Sequence, residues 1–326
     1  MLRIYESCNL SNLIKIQHLE NPPNVGGDLK SERIINLAWT FDDGPTAGFS
    51  QKIHEFFLSK NIDAITFFIV KFRVDNWKYW SKTNVYEDLK KWNKAGNEIA
   101  VHTTQPDQDL WFRTETRKNK DGSFKHYDTE TCLKMMKEFK KDLEAKGIST
   151  IRFARPVGGL ISSLGNYMKE ENGYSAPLKN VNGIIKGIIN EDITINSELA
   201  SSNSAVKATI ETFNATMKWL KDSELRIGVG RLKNGDYKKR YGIDYQDWNA
   251  ESYYIENHEK NDIFPKFKSA VDNKTVKNFI ILSHDTNNGY FNTFKKNFND
   301  IEKYARENHV QLNYKTMYDM FMLLPV

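Results

Sequence analysis

With 326 residues, 39% of them hydrophobic and 13% aromatic, the chain can bury a large core and is not a disordered polymer. Its 47 basic and 42 acidic residues leave a net charge of +5, which favours an anionic partner only slightly, and no aromatic ladder or nucleic-acid motif accompanies the basic runs Arg117–Lys120 and Lys238–Arg240. Two distant cysteines, Cys8 and Cys132, support neither a disulfide framework nor a cysteine zinc cluster, and no stretch reaches the roughly 18 apolar residues of a membrane span.

Residues 1–31, which include the turn-rich Asn21–Gly27, read as an irregular lead-in to a domain over 32–326. Arg33–Phe41 is predicted as a strand by its branched and aromatic content, and Gly48–Asn61 as a helix with Ile53, Phe56 and Phe57 on one face. A buried strand is expected at Asp63–Val70, a helix at Asn84–Gly96 and a strand at Asn97–His102. A helix over Thr129–Gly147 and a strand over Ser149–Pro156 follow. Residues 165–205 break the rhythm and read as an insertion. Beyond them come a helix at Ala205–Asp222, strands at Glu224–Gly230 and Phe279–His284, a helix at Thr293–Asn308 and a strand at Val310–Tyr314. Strand and helix alternating over this length imply an α/β structure with a largely parallel sheet, either a barrel or a doubly wound sheet. In both, chemistry collects at the carboxyl ends of the strands.

The polar residues at those ends form a short list. Asp42 and Asp43 follow the first strand in "TFDDGP", and His102 closes another in "HTTQPD". Arg155 stands in "RPVGG", Asp247 lies in "DYQDW", and His284 and Asp285 lie in "ILSHD". Carboxylates, imidazoles and a guanidinium gathered at one end of a rigid scaffold are the expected layout of a catalytic face.

These five segments, in this order, resemble the motifs of the polysaccharide deacetylases, the NodB-homology family also known as carbohydrate esterase family 4. The resemblance runs from about residue 33 to 325. It implies a distorted (β/α) barrel and the metal-dependent hydrolysis of N-acetyl groups on an amino-sugar polymer or oligosaccharide such as peptidoglycan or a chitin-like chain. By the same resemblance Asp42 is the general base, Asp43 and His102 hold a divalent metal ion (zinc foremost), Asp247 orients and tunes a histidine, and His284 is the general acid. Trp248 and Leu282 line the pocket for the acetyl methyl, and Arg155 holds the base. The chain departs from the family in two places. Pro106 stands where the second motif has its second histidine, leaving Gln105, Asp107 or water to complete the metal's shell. Ala154 stands where the third motif has its arginine, with Arg155 one place later.

Physical chemistry asks for the same parts. An amide carbonyl is a poor electrophile and water a poor nucleophile, and a divalent cation answers both by polarising the carbonyl and lowering the pKa of its water to about 7. One carboxylate must bind that ion and another must take the water's proton, and the amine leaving group needs an acid such as an imidazole. The competing reading is a glycan-binding protein on a deacetylase scaffold that has lost the chemistry; a hydrolase of another amide is a third. An N-acetylated glycan is the expected partner, without nucleic acid or a membrane span. The amino-terminal residues show no cleavable signal, so a cytoplasmic location or a non-standard export route is expected.

Overall fold

The computed structural model describes residues 33–103, 115–118, 124–126, 129–149, 151–155, 157, 164–165, 167–175, 178–189, 201–227, 252–256, 263–272, 274 and 276–322. The expected lead-in over 1–31 lies outside them. Element by element, β1 (Arg33–Gly44) is followed by α1 (Ser50–Leu58), β2 (Ile65–Val70), α2 (Lys71–Asp75), α3 (Val85–Lys94) and β3 (Glu98–Thr103). A small antiparallel hairpin, β4 (Glu115–Lys118) with β5 (Phe124–His126), precedes α4 (Thr129–Ala145) and β6 (Phe153–Ala154). Next come α5 (Leu178–Ile189), α6 (Ser204–Asp222), β7 (Arg226–Ile227), β8 (Ser252–Glu256) and α7 (Phe264–Asp272). β9 (Asn278–His284), α8 (Asn288–Glu307), β10 (Val310–Tyr314) and α9 (Met317–Met322) complete the chain order.

The main sheet runs β7-β6-β3-β2-β1-β9-β8 and every pairing in it is parallel. β10 also pairs β1, at Arg33–Leu37, while β2 takes the register Trp39–Gly44. Because β9 pairs Asn36–Asp42 of the same strand, β10 and β2 must share β1's other edge. This is a parallel α/β fold, and its parallel sense puts all strand carboxyl ends on one side.

Side-chain alternation along the strands sorts residues into two sets. Trp39 and Phe41 of β1 join Phe57 of α1 and Phe294 and Phe298 of α8 in an aromatic layer, with Trp39 and Phe294 ring centres 5.0 Å apart. The opposite face gathers Ala38, Phe68, Ala100, Phe153 and Ile280 into a second cluster with Met317 and Met320 of α9. Two residues further along that second face come Thr40 and Asp42, His102, Arg155, and then Leu282 and His284. A strand period of two therefore carries the same face from an apolar floor to a polar mouth. Residues 165–205, which break the sequence pattern, contribute Met168, Val181, Ile185, Ile188 and Ala205 to the first cluster.

Helix ends follow local chemistry. Asn84 accepts from the Tyr86 amide (3.0 Å) to cap α3, whose first turn carries Glu87 and Asp88, and Asn287 caps α8 through the Tyr290 amide (3.1 Å). Among the described residues no helix is long and apolar enough to cross a membrane.

Candidate active site

Adjacent residues of a strand face opposite ways, so Asp42 and Asp43 converge only if the backbone intervenes. The β1–β2 register breaks between Phe41 and Gly44, and Asp43 adopts a left-handed conformation, φ 71°. Such bulges re-aim side chains beside active sites, and Asp is among the few non-glycine residues that take positive φ at modest cost. As a result both carboxylates reach one imidazole nitrogen. Nε2 of His102 lies 3.3 Å from Asp43 Oδ1 and 3.8 Å from Asp42 Oδ2. On the other side of Asp43, His284 Nε2 stands 4.0 Å from Oδ2, and its ring packs on Tyr290 with centres 4.8 Å apart.

Arg155 follows β6 directly, and its amide still donates to Val101 O (2.9 Å), so the strand phase holds. That phase puts Arg155 on the face of Phe153, whereas Ala154 belongs to the helix-facing cluster. An arginine at 154 would point away from the site; one at 155 points into it. Its Nη1 donates to Asp42 Oδ1 at 2.5 Å and to Thr40 Oγ1 at 3.0 Å, and the guanidinium lies over the Phe68 ring, 3.8 Å from its centre. The side chains of Arg155 and Asp42 are only 1% and 4% exposed, so this ion pair is shielded from water.

His102 is oriented by its other nitrogen, since Nδ1 sits 2.7 Å from the Arg155 carbonyl, to which it donates. Burial works against charging this ring, but Asp42 and Asp43 outweigh it and hold its pKa above the usual imidazole value. For Asp43 burial again opposes charge. The hydrogen bond and charge of His102, with His284 and Arg73 behind it, win and keep its carboxyl below the ordinary range. Two carboxylates turned onto one nitrogen amount to a demand for positive charge. A divalent cation fits that demand. Two donor atoms held about 2.0–2.1 Å from a tetrahedral ion stand about 3.3–3.4 Å apart, which is the Asp43–His102 separation seen here. Nδ1 tied to a carbonyl is also the usual outer contact of a ligating histidine. Among the described residues no group of three metal-ligating side chains occurs; Gln105 and Asp107 lie outside them, as do Asp247 and Trp248.

One residue of the site carried no role in the sequence reading. Asp285, 1% exposed, donates its amide to Asp42 O (3.3 Å) and accepts from the Ser50 hydroxyl, which itself accepts from the Thr46 amide (2.7 Å). A Cβ at Gly44 would overlap the Asp285 carboxylate, meeting its Cγ at 2.8 Å, so the glycine is needed for this close approach. Burial, with the Asp43 charge added and only partly countered by Ser50 and Arg73, pushes the Asp285 carboxyl up to about 7. Leu282 is 7% exposed and lies on the site face between Ile280 and His284.

Residues 30–177 match the model of the polysaccharide deacetylase family. Among solved structures, the chain is similar to a family 4 acetyl xylan esterase from Clostridium thermocellum in complex with a cobalt ion, at 13% identity and a TM-score of 0.42 over 88% of this chain and 91% of that one. It is also similar to the catalytic domain of a peptidoglycan N-acetylglucosamine deacetylase from Eubacterium rectale (15%, TM-score 0.37, 85% and 86%). A family 4 carbohydrate esterase from Bacillus anthracis aligns as well (11%, TM-score 0.38, 93% and 96%). Among curated proteins, none matches this chain.

Proposed function

We propose that this chain, whose residues 30–177 match the polysaccharide deacetylase family, removes N-acetyl groups from an amino-sugar polymer or oligosaccharide of the peptidoglycan or chitin kind. The observation that carries the reading is the shielded Arg155–Asp42 pair set beside the Asp43–His102 pair, with His284 on the far flank. Asp43 and His102 would hold a divalent cation, zinc foremost, which supplies carbonyl polarisation and a water acidic enough to react near neutral pH.

The chain's own groups do the rest. Asp42 takes the proton of the attacking water at the oxygen not occupied by Arg155. Its approach angle is fixed because the guanidinium is itself locked by Thr40 and Phe68. His284 gives a proton to the departing amine, with Asp247 as the carboxylate that sets its tautomer. Leu282 lies just above the apolar floor and would line the pocket for the acetyl methyl, a role that the family resemblance extends to Trp248. Divided between two carboxylates, the work of binding charge and of accepting a proton does not compete.

The test is acetate release from N-acetylated glycans by wild type, Asp42→Asn and His284→Ala, each checked for native folding. A loss of about 10²–10⁴-fold in each variant is expected from removing a general base or acid. Full activity in either variant would overturn the assignment. Glycan binding with no acetate release, indifferent to Asp42→Asn, would select the binding-protein reading instead.

A further inference from the structure

The segment 71–80 leaves the carboxyl end of β2, which lies between β1 and β3, the strands that carry Asp43 and His102. Its backbone is pinned from below. Val74 and Trp77 are each 3% exposed, and the Trp77 indole donates to Thr83 Oγ1 (3.1 Å). Its upper side is the reverse, with Tyr79 70% and Trp80 44% exposed at a place where apolar rings gain nothing from water.

Beside the Trp80 ring sits Arg73. Its guanidinium carbon is 5.5 Å from the centre of the Trp80 ring, with the Phe72 ring 6.1 Å from Trp80 at 54°. Among the described residues no carboxylate lies within ion-pair distance of Arg73, and the neighbouring Asp75 is taken by Lys71 at 2.5 Å. Its place in the chain puts Arg73 near the site, since β2 ends with Ile69 opposite Gly44 and Val70 opposite Thr103, and Arg73 follows three residues later. An exposed indole offers its face to a sugar ring, and a half-buried guanidinium without a carboxylate partner is a fork for an anion.

We propose that Trp80 and Arg73 form a subsite for a carboxylate-bearing sugar adjacent to the N-acetylated sugar that reacts, the ring stacking on Trp80 and the carboxylate pairing with Arg73. The substrate is then an acidic glycan rather than a neutral homopolymer. This rests on the hydrolase reading above but is read out by binding, so the two can fail separately. A neutral chain would use only the indole. An acidic chain would also engage Arg73.

The experiment measures calorimetric binding and acetate release for two N-acetylated oligosaccharides of equal length, one neutral and one with alternating carboxylate-bearing sugars. The zinc-supplied proteins are wild type, Arg73→Gln and Trp80→Ala. Arg73→Gln is expected to weaken the acidic chain by about tenfold or more while the neutral chain stays within about twofold. Trp80→Ala is expected to weaken both by about three- to tenfold. Wild-type affinity for the acidic chain alone should fall as salt rises. Equal effects of Arg73→Gln on the two chains, no effect on either, or no wild-type binding of the acidic chain would overturn the subsite. The expected binding pattern without acetate release would sink the hydrolase reading and keep the subsite. Asp42-dependent acetate release with an indifferent Arg73→Gln would sink the subsite alone.

Discussion

Replacing Arg155 by methionine removes the charge that Asp42 faces while keeping most of the stem volume over Phe68. The pair is 2.5 Å long between side chains 1% and 4% exposed, so water cannot take the guanidinium's place without opening the site. Removing one partner of such a buried pair costs about 3–5 kcal/mol, because the other charge stays behind uncompensated. Here Asp42 would keep only His102, at 3.8 Å, and Thr40 would lose the donor at 3.0 Å. With a urea slope of about 3 kcal/mol/M, the unfolding midpoint should fall by about 1–1.7 M. The assay is urea unfolding followed by circular dichroism in the presence of a chelator, so that metal linkage does not enter. Asp42→Asn in the Arg155→Met background should recover a good part of the loss, because the stranded charge is gone. A midpoint within about 0.3 M of wild type, or a double variant less stable than Arg155→Met, would refute the buried-pair argument.

His54 gives a pH prediction. It is 1% exposed, bonded through Nδ1 to Asn97 (2.8 Å), and its pKa is pushed down by burial, helped by Lys91, to about 4. The unfolded chain takes a proton near 6.5 that the folded chain refuses, so this residue's contribution is intact above 6.5 and is lost as pH falls toward 4. Titrating stability against pH should show that slope flattened in His54→Gln; an unchanged slope would contradict it. Gly44→Ala should lose about 1–3 kcal/mol by overpacking, seen as a lowered melting temperature, and much less when Asp285 is also Ala. Strictly additive losses would mean that the two residues do not touch.

The sequence made the polar ends of the strands legible because a parallel sheet sends every carboxyl end to one face, so that chain order alone groups Asp42, His102, Arg155 and His284. Element type was also readable where periodicity was long, as in α4, α6 and α8. Lengths were less so. β1 runs to Gly44 rather than Phe41 because pairing continues with β9 as far as Asp42 opposite His284 and with β2 at Gly44 opposite Ile69. β6 keeps only Phe153–Ala154 where a longer strand was expected, the expected strand at 224–230 is described only as far as Ile227, and β8 (Ser252–Glu256) was passed over. The displaced arginine could be settled only by strand phase, which places 155 and not 154 beside Phe153. Asp285 was quoted in its motif without a role, since its importance comes from a glycine 241 positions earlier in the chain whose missing side chain it replaces. Arg73 and Trp80 belong to no motif, and only the position of β2 between β1 and β3 suggests a role for them beside the site.

The central claim is that Asp43 and His102 hold a divalent cation, and zinc titration of the metal-stripped protein tests it most directly. Wild type should bind one equivalent tightly. Asp43→Ala should lose most of that affinity while its circular dichroism stays native. Wild-type protein that takes up no zinc, or an Asp43→Ala variant that binds it equally well, would contradict the account.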